Sequence, residues 1–139
     1  MTSPNLDLSP INERVCTSRT SLHSFKTTYG TIPMITGLRY HFAVRIVKGS
    51  NFKIGVSTNR LVLDAAFSDS PEGFAFYSNG SLRNGSKGEG PQYGESFTTH
   101  DVIGTFVDLV DVSYCFTLKD NRGSYSSLRM RKYSVTPMT

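Results

Sequence analysis

Apolar and polar residues alternate most regularly between Thr36 and Thr58. Leu38, Tyr40, Phe42, Val44 and Ile46 fall on one side of the run, and Arg39, His41, Ala43 and Arg45 on the other. A period of two with one wet side is the pattern of a half-buried antiparallel strand. After Lys48-Gly-Ser-Asn, the residues Phe52, Ile54 and Val56 alternate with Lys53, Gly55 and Ser57. The stretch therefore predicts two strands, 37–47 and 52–57, paired with each other through that turn. Gly55, in mid-strand, points to close approach by a neighbouring side chain or backbone. A second regular run sets Ile103, Thr105, Val107 and Leu109 against Val102, Gly104, Phe106 and Asp108. It turns at Val110-Asp111 into Val112, Tyr114, Phe116 and Leu118, a second core hairpin.

The remaining stretches are less regular. Pro4 and Pro10 remove backbone donors from residues 1–12, which predicts a mobile arm ahead of one folded domain over 13–139. Residues 13–29 set Val15, Leu22 and Phe25 among Ser and Thr, which suits one or two edge strands. The connection 58–71 carries Leu61, Val62, Leu63 and Phe67 where polar residues are usual, so these are expected to tuck beneath the loop. Residues 78–94 are dense in Gly, Ser and Asn and predict a flexible hairpin loop. A phosphate loop is excluded there, because no helix pattern follows whose amides would face an anion and no Lys-Ser/Thr pair is present. Near the end, Leu128 and Met130 alternate with Arg129, Arg131 and Tyr133, as in an edge strand guarded by charge. Many short strands joined by Gly-rich turns make the fold all-β, two antiparallel sheets packed as a sandwich with little helix.

Composition narrows the function. A chain of 139 residues suits one domain. Apolar content of 37% and charged content of 19% suit a globular chain, and no apolar run approaches the ~20 residues of a membrane span. The first residues lack the basic start and apolar run of a secretory signal, so a cytoplasmic or nuclear home is expected. Cys16 and Cys115 offer neither metal spacing nor a disulfide framework, and Cys115, inside a strand-like run, is read as a small core hydrophobe. The net charge of +4 favours acidic partners by steering without defining a nucleic-acid binder. His41 has no catalytic partner pattern nearby and is read as a solvated strand residue. Asp101 and Asp108 are seven positions apart on a strand, over ~20 Å, and cannot act as a pair. Asp101 is instead expected to cap a turn and Asp108 to bond backbone amides at the hairpin. With no nucleophile–base pair and no ligand set, the reading is of no enzyme, no metal and no cofactor.

Gly37-Leu-Arg-Tyr-His-Phe-Ala-Val, followed by Asn51-Phe-Lys-Ile-Gly-Val, resembles the SPRY domain pattern Gly-x-x-Tyr-aromatic-x-Val, then aromatic-x-Ile-Gly-Val. Further marks follow in the family's order. Gly73-Phe-Ala-Phe-Tyr-Ser resembles its Gly-Trp-x-Tyr strand, residues 88–93 its small-residue loop before a Tyr, and Asp101-Val-Ile-Gly-Thr-Phe-Val-Asp its Asp-x-Ile-Gly-x-x-x-Asp hairpin. The chain departs from the family in having no tryptophan, with Phe52 and Phe74 at the usual Trp positions, and in placing His100 where Gly usually precedes the Asp. The resemblance implies a SPRY-like, jelly-roll β-sandwich whose partner site is a shallow surface of inter-strand loops at one end. On that basis Asn59, Arg60, Leu61, Leu63, Arg83 and Arg122 are the candidate partner-binding residues of a monomeric, non-catalytic adaptor. Arginine supplies bidentate carboxylate contacts and leucine an apolar anchor for a peptide or protein partner. Two alternatives remain: a lectin-like site with exposed Tyr77 or Tyr93 beside Asn79 or Asn84, and nucleic-acid binding through the basic Arg129, Arg131, Lys132 and Tyr133.

Overall fold

Both regular runs fold as strands, and every strand pair is antiparallel. The computed structural model of the chain describes residues 6–9, 15–18, 24–58, 63–85, 90–111, 113–119 and 125–127. Its strands in chain order are β1 (Leu6–Leu8), β2 (Cys16–Ser18), β3 (Arg39–Arg45), β4 (Lys53–Ser57), β5 (Gly73–Tyr77), β6 (Leu82–Arg83), β7 (Val102–Asp108), β8 (Ser113–Lys119) and β9 (Tyr125–Ser127). One turn of 3-10 helix, Phe67–Asp69, precedes β5. A four-stranded sheet in the order β3-β7-β8-β9 and a three-stranded sheet in the order β4-β5-β6 supply the core, and β1 pairs with β2 separately. The stretch 1–12, read as an arm, thus contributes β1. No helix among the described residues is long and apolar enough to cross a membrane.

One expectation is overturned: β3 and β4 do not pair. Strand β3 lies against β7, from Arg39 opposite Asp108 to Arg45 opposite Val102, whereas β4 lies against β5. At the end of β3, Ile46 N donates to Asp101 O at 2.9 Å and His100 N donates to Ile46 O at 2.7 Å, so β3 keeps β7's side as its partner to the last residue. The connection 46–52 then crosses between sheets. Alternation had reported which side of each strand is buried, and both sides face one core from opposite walls. Ile54, Phe76 and Leu82 meet Ile46, Ile103, Phe116 and Leu118 there, with Phe97 closing one end and Phe42, Val44, Phe52 and Tyr93 around them.

The β7–β8 hairpin forms as expected, with Ile103, Thr105 and Val107 inward. Cys115 does not join the core. It is half-buried, opposite Phe106 on the outward side of the hairpin, because Tyr114, Phe116 and Leu118 take the inward positions. The described parts of the Gly-rich stretch, 78–85 and 90–94, are more ordered than a flexible loop. They carry β6, a bridge between Ser81 and Gln92, and bonds from Leu82 N to Pro91 O and from Tyr93 N to Gly80 O, each 2.9 Å. A Cβ at Gly90 would overlap the Leu82 carbonyl oxygen, so the small residue there serves close backbone packing. Leu63 and Phe67 are half-buried, while Leu61, Val62, Val112 and the expected strand over 128–133 lie outside the described residues.

The two carboxylates act as expected. Asp101 Oδ2 accepts from Thr98 N at 2.7 Å, and Asp108 Oδ1 accepts from Val110 N at 2.9 Å and Asp111 N at 3.1 Å. Between Thr98 and Asp101, His100 has φ 75°, the left-handed region that favours glycine. The residue is exposed, so relief of that backbone cost is the dominant effect of removing its side chain. His100→Gly is expected to raise stability by about 0.5–1 kcal/mol, read as a higher thermal midpoint. A lower midpoint would show that the imidazole contributes more than the backbone loses.

Candidate functional site

The loop that leaves β4 has both ends fixed. At its start Thr58 N donates to Glu72 O and Thr58 Oγ1 to Glu72 Oε2, each at 3.2 Å. At its return Thr27 N donates to Leu63 O at 2.8 Å, Thr27 Oγ1 to Ala65 O at 2.6 Å and Lys26 Nζ to Asp64 O at 3.0 Å. Residues 24–30 therefore lie as a strap beside 63–65. Of the predicted site residues, Leu63 belongs to this anchorage, while Asn59, Arg60, Leu61 and Arg122 lie outside the described residues. Arg83 does not project from a loop. It sits in β6 and is 7% exposed.

Alternation puts Arg83 with Lys53 and Tyr77 on the side of the three-stranded sheet facing away from the core. The Tyr77 ring has Arg83 Cζ 5.2 Å from its centroid and Lys53 Nζ 5.3 Å away, both at cation–π range. Phe25 of the strap meets Tyr77 edge-on at 5.6 Å and lies 4.4 Å from Lys53 Nζ. Lys53 also lies 3.8 Å from Asp69 Oδ1. Burial pushes the Lys53 ammonium below its usual range, Asp69 offsets part of that, and the Arg83 charge adds to it. Sequence inspection missed this cluster, although Lys53 and Tyr77 on the non-core side of adjacent strands were the available signal. The same contacts occupy Tyr77, and Tyr93 is half-buried with its hydroxyl accepting from Phe116 N at 3.3 Å. Neither ring is the exposed platform that a lectin-like site required.

On the opposite outer face, the His41 and Phe106 rings stack with centroids 4.3 Å apart, and Phe106 is 45% exposed. A shallow cavity of about 240 Å³ opens beside them, lined by Arg39, Phe106, Asp108 and Cys115 among others. Burial pushes the Cys115 thiol up, which keeps it protonated and a poor nucleophile near neutral pH. Arg39 Nε donates to Asp108 Oδ2 at 2.8 Å. That bond, followed by those from the turn amides, holds the Asp108 carboxyl below its usual range. A depressed carboxyl stabilises the fold above its unfolded value of about 3.9, and the contribution disappears as pH falls through the folded value. The stability gap between wild type and Asp108→Ala, measured by urea unfolding, is therefore expected to narrow from about pH 6 to about pH 2. A gap independent of pH would contradict this role.

A family model described as the SPRY domain matches residues 39–133, which contain every strand of the two core sheets, and the chain belongs to that family. Among curated proteins, "Ran-binding proteins 9/10 homolog" of Drosophila melanogaster is 34% identical over 100 residues, which cover 70% of this chain and 10% of that protein. The matched region is thus about a tenth of the relative's length. SPRY domains are generally protein-interaction modules, and the nearly all-β pair of packed antiparallel sheets agrees with that membership.

Proposed function

We propose that this chain recognises a peptide or protein partner, without catalysis, through the loop that leaves β4 and its neighbours. The supporting observation is the fixed frame of that loop: Thr58 is tied to Glu72 and Leu63 to Thr27, so residues 59–62 join two held ends. Asn59, Arg60 and Leu61 fall in that interval, and Arg122 belongs to the β8–β9 connection. Holding the ends lowers the ordering cost that a recognition loop incurs on binding. A role as a monomeric cytoplasmic adaptor is part of the same reading. The Drosophila relative is named for Ran binding, so a Ran protein is the first partner to test. In a pull-down, Arg60→Ala with Leu63→Ala is expected to weaken capture about tenfold or more, the loss of one to two hot-spot contacts. Capture at wild-type strength rejects the loop site. Loss on Phe106→Ser alone would move recognition to the His41–Phe106 face.

A further inference from the structure

Among the described residues, the Lys53–Tyr77–Arg83 cluster is short of acceptors. Arg83 is 7% exposed, and its Nε and Nη1 are buried without a hydrogen-bond acceptor among the described residues. Those two atoms carry three N–H bonds. The Tyr77 face attracts the guanidinium charge but offers no lone pair in the guanidinium plane. Lys53, whose side chain is 6% exposed, has a carboxylate only at 3.8 Å, near the outer limit of an ion pair. Among the described residues, two cations and one carboxylate leave one positive charge, with the Arg83 and Lys53 side chains largely shielded from water. A buried guanidinium left this way costs stability, and an oxyanion is the group that would satisfy both the charge and the free donors.

We propose that Arg83 and Lys53, arranged around Tyr77, form a site for an oxyanion borne on a partner polypeptide, a carboxylate or a phosphate, with Phe25 as its movable cover. The strap is held by bonds from Lys26 and Thr27 and by the hydroxyl pair Tyr29 Oη and Ser57 Oγ at 3.2 Å, Ser57 giving its own proton to Thr58 O at 2.8 Å. None of these is made by Phe25, which touches the cluster through ring contacts. The ring can therefore leave while the strap stays in place. The site lies on the side of the three-stranded sheet where residues 63–65 hold the strap, and it does not depend on residues 59–62 binding anything.

The test is thermal unfolding of the whole chain in sodium acetate, in sodium phosphate and in sodium chloride at matched ionic strength. The variants are Arg83→Met, Arg83→Lys and Phe25→Ala. Arg83→Met replaces an unsatisfied cation by an apolar side chain of similar length and is expected to fold. Phosphate stabilises most proteins by exclusion from their surface, so the difference between wild type and Arg83→Met is the quantity that counts. Wild type is expected to gain midpoint over chloride, Arg83→Met to half-saturate at about tenfold higher anion concentration or not at all, and Arg83→Lys to fall between them. Phe25→Ala is expected to half-saturate at lower anion concentration than wild type. A response confined to acetate identifies an acidic side chain as the source, and one confined to phosphate a phosphorylated residue. Equal responses in wild type and Arg83→Met, or no response in wild type and Phe25→Ala alike, overturn the proposal.

Discussion

Gly55→Ala is expected to cost about 3 kcal/mol or more, a large share of the 5–15 kcal/mol typical of a domain. A Cβ at this position would overlap the Phe74 carbonyl oxygen and stand 2.9 Å from Ala75 Cα. Both obstacles are backbone, so neither can swing aside as the tip of a long side chain can. Gly55 and Ala75 are register partners at the centre of the β4–β5 ladder, between the pairs Ile54–Phe76 and Val56–Phe74. Relief of the overlap therefore means parting the strands beside the core pair Ile54–Phe76 and the pair Val56–Phe74, which alternation puts on the same side. Chemical denaturation of Gly55→Ala should show a lower midpoint than wild type. A midpoint unchanged within error would mean that β4 and β5 are not this close.

Gly55 also shows what a sequence conveys about packing. A glycine amid Ile54 and Val56 has no local reason to be there, and close backbone approach is the reason the structure supplies. Burial on each strand was largely legible: Tyr40, Phe42, Val44 and Ile46 are half-buried or buried in the phase expected, Leu38 at the end of the set is 52% exposed, and Ile103, Thr105 and Val107 reach 0%, 0% and 2% exposure. Pairing was less legible. The residues between β3 and β4 suggested a hairpin, but two strands with the same inward phase suit either neighbours in one sheet or opposite walls of a sandwich, and nothing local distinguishes these. The flanks of the loop, 78–85 and 90–94, were misread for a related reason. Glycine signals freedom in a loop and tight fit in a packed one, and only the segment lying against it decides which.

The candidate site was less legible than the fold. Arg83, two residues after a Ser in a Gly- and Asn-rich stretch, reads as a loop arginine until the pairing of β6 with β5 places it opposite Ala75. From that position it reaches Tyr77 and approaches Lys53 in charge, a meeting of three strands and the strap that no spacing along the chain encodes. The phase of Phe106 was visible beforehand, on one side with Gly104 and Asp108, and an outward phenylalanine was the available signal for the second face; its place opposite His41 came only with the β3–β7 pairing. Residue types and faces were thus available from the sequence, whereas contacts between residues distant along the chain required the topology.

Phe76→Ala should be the costliest of the core truncations, at about 3–5 kcal/mol. The Phe76 side chain is 0% exposed and has the rings of Phe97 at 5.0 Å, Tyr93 at 5.6 Å and Phe116 at 5.6 Å. Those rings come from the segment before β7, from the Gly-rich stretch and from β8, so one side chain joins the two sheets to the connection between them. Its removal leaves a cavity whose walls are strand residues held in register, Ile54 and Leu82 on either side, and such walls collapse little. Phe74 stands at the position where the family usually has Trp, yet it is half-buried and stacks on Tyr114 at 5.0 Å. Phe74→Ala is therefore expected to cost less than Phe76→Ala, and Phe76→Leu to recover most of the loss because it refills the apolar volume. Urea unfolding of the three variants gives the order directly. If Phe74→Ala proved the most damaging, the centre of the core would lie at the family's Trp position, toward Tyr114, and not among the three rings around Phe76.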